Sequence, residues 1–447
     1  MLARTDAMPD DTLQAIATKK AFRHLLPLLM AVFFIAFVDR TNVSLAKNSL
    51  EISAGIDAAA YGLGAGLFFV TYALLEIPSN LVLYRVGPRI WISRIAITWG
   101  IISSAMLMVD SPAVFYILRM LLGAAEAGIY PALMYVVATW FAHSDRSRAV
   151  SLVALSAAIG GVVANPLGGA IIAGTAAWPW LDGWQWMFLL EGIPAVLIGL
   201  VIFFRLPNSP ADARWLSGDE AAVLTERAVG EVEPQPTVRR TLAAIVSTPF
   251  ILALAAIYFF SQVANFGIIF FTPAIVAGMI GPNIQIIGLI TGLVGLGGVT
   301  GLLVTPSILK RLGEIPMVAI YSSAVLIFAL LFGIVDKNIF KLIFLALIGI
   351  FVIGSVPVYW PIIMKRLTGR TAAAGFAFLN TVGLAGGFVG PYFFGLSEVV
   401  TGSAASGVSV VVLAALGMVL LTPLLYFGVR KFDRSMAGEY EEAGFGK

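Results

Sequence analysis

The sequence predicts an all-α integral membrane protein in which about twelve transmembrane helices form two six-helix halves that repeat one another. Hydrophobic residues make up 59% of the 447 residues, whereas charged residues make up only 12%. A soluble domain carries about twice that share of charged residues. The apolar residues fall into about twelve runs of roughly 20, the length that crosses a bilayer. Two pairs of matching motifs then relate the first six runs to the last six.

Short loops separate the predicted spans, except for one long segment in the middle of the chain. The spans of the first half are predicted at 25–46, 59–84, 90–109, 113–141, 147–174 and 184–205, and those of the second half at 245–276, 284–308, 316–335, 340–364, 371–398 and 405–429. The middle segment contains Ser217-Gly-Asp-Glu220, a capping-box pattern that predicts a short surface helix. The chain therefore divides into an N-terminal tail (1–24), a six-helix bundle (25–205), a linker (206–244), a second six-helix bundle (245–430) and a C-terminal tail (431–447).

Two matched motifs indicate that the halves are repeats. Leu83-Tyr-Arg85-Val-Gly87 follows the second span and resembles Leu309-Lys-Arg311-Leu-Gly313 after the eighth, 226 residues later. The fifth span contains Gly160-Gly-Val-Val-Ala-Asn-Pro166, and the eleventh contains Ala385-Gly-Gly-Phe-Val-Gly-Pro391, 225 residues later. The two spacings agree, and parallel repeats around a central site are one known transporter architecture.

Lysine and arginine fall mainly at one set of span ends, which predicts the orientation of the chain. Those ends include the N-terminus, the linker, the C-terminus and the loops that follow the even-numbered spans. The opposite ends hold only Lys47, Lys337 and Lys341. Because cytoplasmic loops are enriched in Lys and Arg, we expect a multi-pass protein of the cell membrane with both termini in the cytoplasm.

The residues on which most metal and cofactor chemistry depends are scarce. The chain has no cysteine, which excludes disulfides, thiolate catalysis and Cys-ligated zinc. Its two histidines, His24 and His143, lie at predicted helix ends beside Lys and Arg, a poor setting for a metal or catalytic centre. We therefore expect no enzyme activity, no metal and no cofactor. Cytoplasmic loops rather than a nucleic-acid partner explain the net charge of +3.

Two pairs of charged residues predict a central polar site. Arg119 and Glu126 are seven residues apart in the fourth span, close to two helical turns, so they project from the same face. Asp39 and Arg40 lie in the first span. A charge at membrane depth is unfavourable by roughly 2.5–3.5 kcal/mol on insertion scales, so it usually faces a protein interior or a watery cavity.

The residue types at this site suit an anion and protons. A guanidinium stays charged and binds a carboxylate through two hydrogen bonds, so Arg40 and Arg119 are candidate anion contacts. Asp39 and Glu126 are candidate proton carriers, because burial favours the neutral form of a carboxyl group. The alternative is structural: Asp39 could pair with Arg119, and Glu126 with Arg40, as neutral struts between two helices. A strut that breaks on protonation would combine both roles. Glu191, in the sixth span, has no evident role.

Other polar and aromatic side chains form a second set of candidates. The candidate substrate contacts among them are Tyr72, Asn265, Trp360 and Asn380. Glu76 lies towards the cytoplasmic end of the second span and is predicted to form an inner gate with Arg85 and Arg89. The spans of the second half carry no acid in their central portions. We therefore expect charge and proton coupling in the first half, with polar and aromatic specificity contacts from the second.

Several segments resemble those of a known family. They are Val38-Asp-Arg-Thr-Asn42, Tyr72-Ala-Leu-Leu-Glu-Ile-Pro-Ser-Asn80, Arg119 through Pro131, Trp140-Phe141, Trp184-Gln-Trp-Met-Phe-Leu-Leu-Glu-Gly-Ile-Pro194 and Pro210-Ala-Asp-Ala-Arg-Trp-Leu216. On these segments the chain resembles the major facilitator superfamily, within it the anion:cation symporter family, and within that the tartrate, phthalate and hydroxyphenylacetate permease group. The matches are dense in the first half and sparse in the second.

The resemblance implies the major facilitator fold and proton-driven import of an organic acid anion by alternating access across a bacterial-type inner membrane. The anion would be a carboxylate such as a tartrate-like hydroxy acid, a sugar acid or an aromatic acid. The implied roles are proton sites for Asp39 and Glu126, anion contacts or charge partners for Arg40 and Arg119, and ligand contacts for Tyr72 and Asn380. One departure concerns the gate, because Tyr84 stands before Arg85 where the superfamily usually has an aspartate.

The main alternative is an organic-anion exchanger or exporter, which a counter-substrate would stimulate. One polypeptide already contains both halves, so we expect a monomer to suffice. The expected partners are a small organic anion, protons and membrane lipid.

Overall fold

The computed structural model describes residues 10–228, 248–367 and 369–442, and within these ranges all regular secondary structure is helical. The helices of the first half are α1 (Asp10–His24), α2 (Leu26–Ala54), α3 (Ala58–Val86), α4 (Pro88–Ala105), α5 (Pro112–Glu126), α6 (Ile129–Trp140), α7 (His143–Gly174) and α8 (Gly183–Arg205). The linker forms α9 (Gly218–Ala228). The helices of the second half are α10 (Pro249–Ile280), α11 (Ile284–Leu312), α12 (Glu314–Ile334), α13 (Asn338–Gly354), α14 (Val356–Met364), α15 (Gly369–Thr401) and α16 (Val408–Glu442).

Twelve segments of the described residues are long and apolar enough to cross a membrane, which confirms the predicted number of spans. Most predicted ends lie within a few residues of the observed ones. Two helices extend well past their predicted ends: α16 continues to Glu442 rather than ending at 429, and α2 continues to Ala54 rather than ending at 46. The apolar run ends at Lys47, but its ammonium is buried against Glu398 at 2.8 Å, so the helix continues through it. Gly55, with a φ of 64°, then ends α2.

The fourth span, predicted over 113–141, is found at Pro112–Trp140, but it is not one continuous helix. The helix is interrupted after Glu126, where Ala127 has a ψ of 125° and Gly128 a φ of 89°. Pro131 has no N–H to donate to the carbonyl of Ala127. The Ser79 hydroxyl donates to that carbonyl instead, at 2.6 Å. A left-handed residue, a proline and a substitute donor together separate α5 from α6.

The linker helix packs against the start of the chain. Glu220 accepts a hydrogen bond from the backbone N–H of Ser217 at 2.8 Å, and the Ser217 hydroxyl accepts one from the backbone of Glu220 at 3.3 Å. Lys20 on α1 pairs with the same carboxylate at 2.6 Å. Trp215 stacks on His24, with ring centroids 4.5 Å apart. The end of the molecule that carries α1 and α9 is called the linker end below, and the opposite end is called the far end.

The two halves meet along α3 with α15 and along α7 with α11. Towards the far end this contact is backbone to backbone: a Cβ on Gly62 would lie 2.2 Å from the carbonyl oxygen of Pro391, and one on Gly288 would lie 2.4 Å from that of Asn165. Side chains larger than hydrogen would separate the halves at these points. The far end is therefore closed, and the space between the halves lies nearer the linker end.

Candidate functional site

A cavity of about 720 Å³ lies between the halves. Ten of its 19 lining residues are aromatic: Phe33, Phe37, Phe68, Phe69, Tyr72, Tyr130, Tyr258, Phe266, Trp360 and Phe376. Its polar lining side chains include Arg40, Glu76, Gln262 and Asn380. These residues come from both halves and mostly from the parts of the helices nearer the linker end. The cavity therefore offers a large aromatic surface with few charged groups.

The one ion pair at the cavity wall joins Arg40 to Glu126 at 2.6 Å. The Arg40 side chain is 14% exposed and that of Glu126 is fully buried. Aromatic rings surround the guanidinium, whose carbon lies 5.2 Å from the ring centre of Phe37, 5.3 Å from that of Phe68 and 5.5 Å from that of Tyr72. The pair is electrically neutral, and it is one of the two struts that the structural alternative predicts.

The interruption of the fourth span places Glu126 in this pair. Glu126 is the last residue of α5, at the end of a helix where unpaired carbonyls carry partial negative charge. A carboxylate at that position is stabilised by a cation, and Arg40 reaches it from α2. One oxygen of Glu126 (Oε1) and the Nε of Arg40 remain without a hydrogen-bond partner in the described structure. Both groups thus have bonding capacity left for a ligand or a proton.

Asp39 faces away from this cavity. Consecutive residues on a helix point about 100° apart, and here Arg40 lines the cavity while Asp39 points towards α4. The Asp39 carboxylate accepts hydrogen bonds from the hydroxyl of Ser103 on α4 and, at 3.4 Å, from the amide of Asn42. Its side chain is buried between α2 and α4 and forms no ion pair among the described residues.

Arg119 is buried as well and does not line the cavity. Its side chain is 1% exposed, and its guanidinium donates to the carbonyls of Gly64 and Ala65, each at 3.4 Å. The guanidinium carbon lies 4.9 Å from the ring centre of Phe68. No acid of the described chain lies within ion-pair distance of Arg119, so the predicted Asp39–Arg119 strut is not formed in this conformation.

Of the four candidate substrate contacts in the second set, three line the main cavity: Tyr72, Trp360 and Asn380. Asn265 does not. It lines a neighbouring cavity of about 320 Å³, which shares Arg40 and several phenylalanines with the first. The Arg40 side chain thus lies where the two spaces adjoin.

The structure brings Glu76 to Asn380 rather than to the arginines expected as its gate partners. The Asn380 amide donates to Glu76 at 3.2 Å and so links α15 to α3. Arg85 is exposed, and Arg89 donates to the carbonyl of Phe203 at 2.8 Å. Tyr84, which replaces the usual aspartate, packs edge-on against another tyrosine ring.

One ion pair across the halves was not anticipated from the sequence. Lys47 on α2 pairs with Glu398 on α15 at 2.8 Å, and the lysine side chain is only 2% exposed. Nearby, the hydroxyl of Tyr61 donates to the carbonyl of Phe270 at 3.1 Å, again from one half to the other. The position of Lys47 just past an apolar run was the available indication, but nothing pointed to its partner 351 residues away.

The known proteins to which this chain is similar include several that are named as transporters. Residues 29–391 match the Major Facilitator Superfamily. A putative tartrate transporter of Agrobacterium vitis is 33% identical over 95% of this chain and 93% of its own length. The quinolone resistance transporter of Acinetobacter baumannii is 34% identical over 90% and 93%. The putative metabolite transport protein NicT of Pseudomonas putida is 34% identical over 88% and 90%.

Solved structures share the fold at low identity. A bacterial homolog of the human lysosomal transporter Spinster, in an inward-facing and unoccupied conformation, superposes with a TM-score of 0.75 at 16% identity, covering 96% of this chain and 98% of that one. A D-xylose–proton symporter gives a TM-score of 0.70 at 17% identity, covering 89% and 97%.

Proposed function

Because the chain belongs to the major facilitator superfamily, we propose that it is a secondary transporter that imports an organic acid anion together with protons. The observation that carries this proposal is the buried Arg40–Glu126 pair at the wall of an aromatic cavity. Its substrate contacts would be Arg40, Tyr72, Trp360 and Asn380.

Competition between the Glu126 carboxylate and the substrate carboxylate for Arg40 is how this pair would couple proton and anion movement. While Glu126 is ionised, its carboxylate forms an ion pair with the guanidinium of Arg40, which is then not free to bind a substrate carboxylate. When Glu126 takes a proton, Arg40 loses its partner and is left as a desolvated cation, which a substrate carboxylate can neutralise. The proton and the anion then enter the site together and leave together. Asp39 would serve as a further proton site, adjacent in sequence but buried on the other face of α2.

The lining supports a carboxylate with an aromatic or otherwise apolar body. Ten of 19 lining residues are aromatic, and a polyhydroxy acid would lose water there without enough polar groups to replace it. One guanidinium suits one carboxylate, and rings such as Trp360 and Tyr258 would pack on an apolar body. The names of the relatives include tartrate, so a hydroxy acid belongs in any test.

Alternating access would proceed from the conformation described above. With both termini in the cytoplasm, as the charge distribution predicts, the linker end faces inward and the cavity is accessible from that side. The closed far end would open on the other half of the cycle, by separation of the Lys47–Glu398 pair and of the glycine contacts.

Internal acidification of liposomes tests the proposal. Purified protein is reconstituted with a trapped pH dye, and 4-hydroxyphenylacetate, tartrate or gluconate is added outside with no other driving ion. We expect rapid acidification with the aromatic acid, and its loss in Asp39→Asn and Glu126→Gln. Protein-free liposomes and an Arg40→Ala variant serve as controls, because neutral weak acids cross lipid unaided. Labelled anion uptake without proton movement would contradict symport, and no protein-dependent flux with any acid would contradict the anion assignment.

A second candidate is export of an organic anion, and one comparison favours it. A relative that covers 90% of this chain is named a quinolone resistance transporter. Export by exchange would be stimulated by counter-substrate on the opposite side and would persist with a protonophore. Proton-driven import would instead collapse when the protonophore is added.

A further inference from the structure

Among the described residues that line the main cavity, Glu76 is the only acid, and the transport cycle described above does not use it. Its Oε2 accepts a hydrogen bond from the Asn380 amide at 3.2 Å. The carboxylate forms no ion pair within the part of the chain that the structure describes, and the residue is only partly buried. Glu76 therefore presents a carboxylate to the cavity with capacity for a further partner.

Glu76 and Arg40 lie near the same aromatic ring, that of Tyr72. The guanidinium carbon of Arg40 lies 5.5 Å from the ring centre of Tyr72. Glu76 follows Tyr72 by four residues on α3, so it lies on the same face of that helix, about 6 Å nearer the linker end. The cavity thus carries one cation and one anion beside one ring, and the two charges are not paired with each other.

The second half supplies aromatic rings next to the amide that binds Glu76. Phe376 precedes Asn380 by four residues on α15 and lies on the same face of that helix. The ring centre of Phe376 is 5.5 Å from that of Trp360, which is 5.7 Å from that of Tyr258. All three rings line the cavity. The face of an aromatic ring attracts an ammonium group, and this attraction is stronger away from water.

The charges of the cavity wall favour a substrate that carries both signs. When Glu126 holds a proton, the wall has one cation, Arg40, and one anion, Glu76. A simple carboxylate would neutralise Arg40 but would leave Glu76 without a countercharge among aromatic rings, where an unpaired charge is disfavoured. A zwitterion would neutralise both groups.

We infer that the cavity binds acids that also carry a basic nitrogen. The carboxylate of such a substrate pairs with Arg40, and its ammonium group binds Glu76 and the neighbouring rings of Trp360 and Phe376. An aromatic spacer between the two groups suits the ring of Tyr72, which lies beside both charges of the protein. This inference rests on the proposed transport of an organic acid and names a narrower class of substrate for it.

Two ligands of nearly the same shape test this inference. At neutral pH 4-(aminomethyl)phenylacetate is a zwitterion, and 4-ethylphenylacetate has a methyl group in place of its ammonium. Equilibrium binding to purified wild-type protein should be at least about tenfold tighter for the zwitterion. Glu76→Gln keeps an oxygen that can accept from Asn380 but removes the charge. In this variant the zwitterion should lose its advantage, while the affinity for 4-ethylphenylacetate should be unchanged.

Glu226→Gln, at an exposed acid of the linker helix, is the matched control and should leave both affinities unchanged. Glu76→Asp retains the charge and should keep part of the preference, which guards against loss of folding as the cause. Equal affinities of the two ligands for wild-type protein, or a preference that survives in Glu76→Gln, would overturn the inference. If only 4-ethylphenylacetate bound, the organic-acid function would stand and the zwitterion class would fail. If neither ligand bound, both would fail.

Discussion

The fourth and tenth spans share one interruption but differ in what they carry. In the first half, Gly128-Ile-Tyr-Pro131 separates α5 from α6; in the second, Gly354-Ser-Val-Pro357 separates α13 from α14. Both glycines and both prolines are 226 residues apart, the spacing of the Leu83–Gly87 motif. The interruption is therefore part of the repeated scaffold and was available to both halves.

The backbone differs at the two interruptions. Gly128 has a φ of 89°, whereas Ser355, which follows Gly354, stays helical at φ −73° and ψ −24°. A hydroxyl accompanies each: Ser79 donates to the carbonyl of Ala127, and the Ser355 hydroxyl donates to that of Val352 at 2.6 Å. The fourth span is broken at its interruption, whereas the tenth span is only bent.

The charge differs more than the backbone. At the same offset of 226 residues, Asp39 corresponds to Asn265, Arg40 to Phe266, Arg119 to Leu345, Glu126 to Val352 and Glu191 to Gly417. Every buried charge of the first half has an uncharged counterpart in the second. One scaffold thus carries its buried charges at these positions in the first half only, whereas the aromatic lining of the cavity comes from both halves, six of the ten rings from the first and four from the second.

The largest effect is expected from removing the cation of the charged half. Arg40→Ala would leave Glu126 fully buried without its partner, and breaking a buried pair costs about 3–5 kcal/mol. We expect a clear loss of thermal stability together with loss of anion binding and of both exchange and net uptake. Arg40→Lys should recover stability but bind the anion more weakly, because the lysine ammonium cannot form the two parallel hydrogen bonds that a guanidinium forms with a carboxylate. Thermal unfolding and equilibrium binding measure the two effects, and an Arg40→Ala protein that binds as wild type would remove Arg40 from the site.

A pair of glycine substitutions tests the backbone difference. Gly128→Ala would place a residue with a side chain at positive φ, with its Cβ 2.3 Å from the hydroxyl oxygen of Ser79. Left-handed backbone alone costs about 1–2 kcal/mol. Gly354→Ala keeps a helical φ and meets Thr305 at 3.0 Å. We expect a larger drop in unfolding temperature and in uptake for Gly128→Ala. Equal losses in the two variants would mean that the halves are not different at this point.

The contact between the halves at the far end should control access to the site. Lys47→Ala removes the pair with Glu398, so the far end should open more often. The chain has no cysteine, so a single introduced cysteine can be labelled selectively. Ala58→Cys lies where the backbone of Ala58 contacts Gly395, and its rate of reaction with a thiol reagent measures how often this end opens. We expect a rise of about tenfold, the change that 1.4 kcal/mol produces. The charge exchange Lys47→Glu with Glu398→Lys should restore slow labelling, and unchanged labelling in Lys47→Ala would exclude a closing role.

The smallest effect is expected from the hydrogen bond between the halves at the linker end. Asn380→Ala removes the bond to Glu76 at 3.2 Å, which contributes about 0.5–1.5 kcal/mol. We expect a change in apparent substrate affinity of up to about tenfold with little loss of stability. Thr381→Ala, at the exposed neighbouring position, is the control. An effect as large as that of Arg40→Ala would show that the second half also holds the anion.

The sequence predicted much of this arrangement. Hydropathy predicted the twelve spans, and the depth of Arg119 and Glu126 within an apolar run predicted that both would face the interior or a cavity; both are buried. The separation of Asp39 from Arg40 could not be predicted from the sequence, because helical neighbours about 100° apart can either share a site, as Phe68 and Phe69 do, or face different helices. The interruption after Glu126 was not predicted, although the Gly-x-x-Pro motif repeated at 128–131 and 354–357 was an available signal. The partner of Lys47 could not be predicted, because it depends on how distant helices pack and no local pattern encodes that packing.

The restriction of proton coupling to the charged first half is tested most directly by Glu126→Gln. Two quantities are measured on the same liposomes: exchange of labelled for unlabelled anion, and net uptake with proton entry. The uncharged amide leaves Arg40 free to bind the anion but carries no proton, so exchange should persist while net uptake falls at least about tenfold. Ser355→Ala, at the bend of the other half, should leave both unchanged. If Glu126→Gln kept proton-coupled uptake, or lost exchange and uptake in parallel, coupling would not reside at the broken span of the first half.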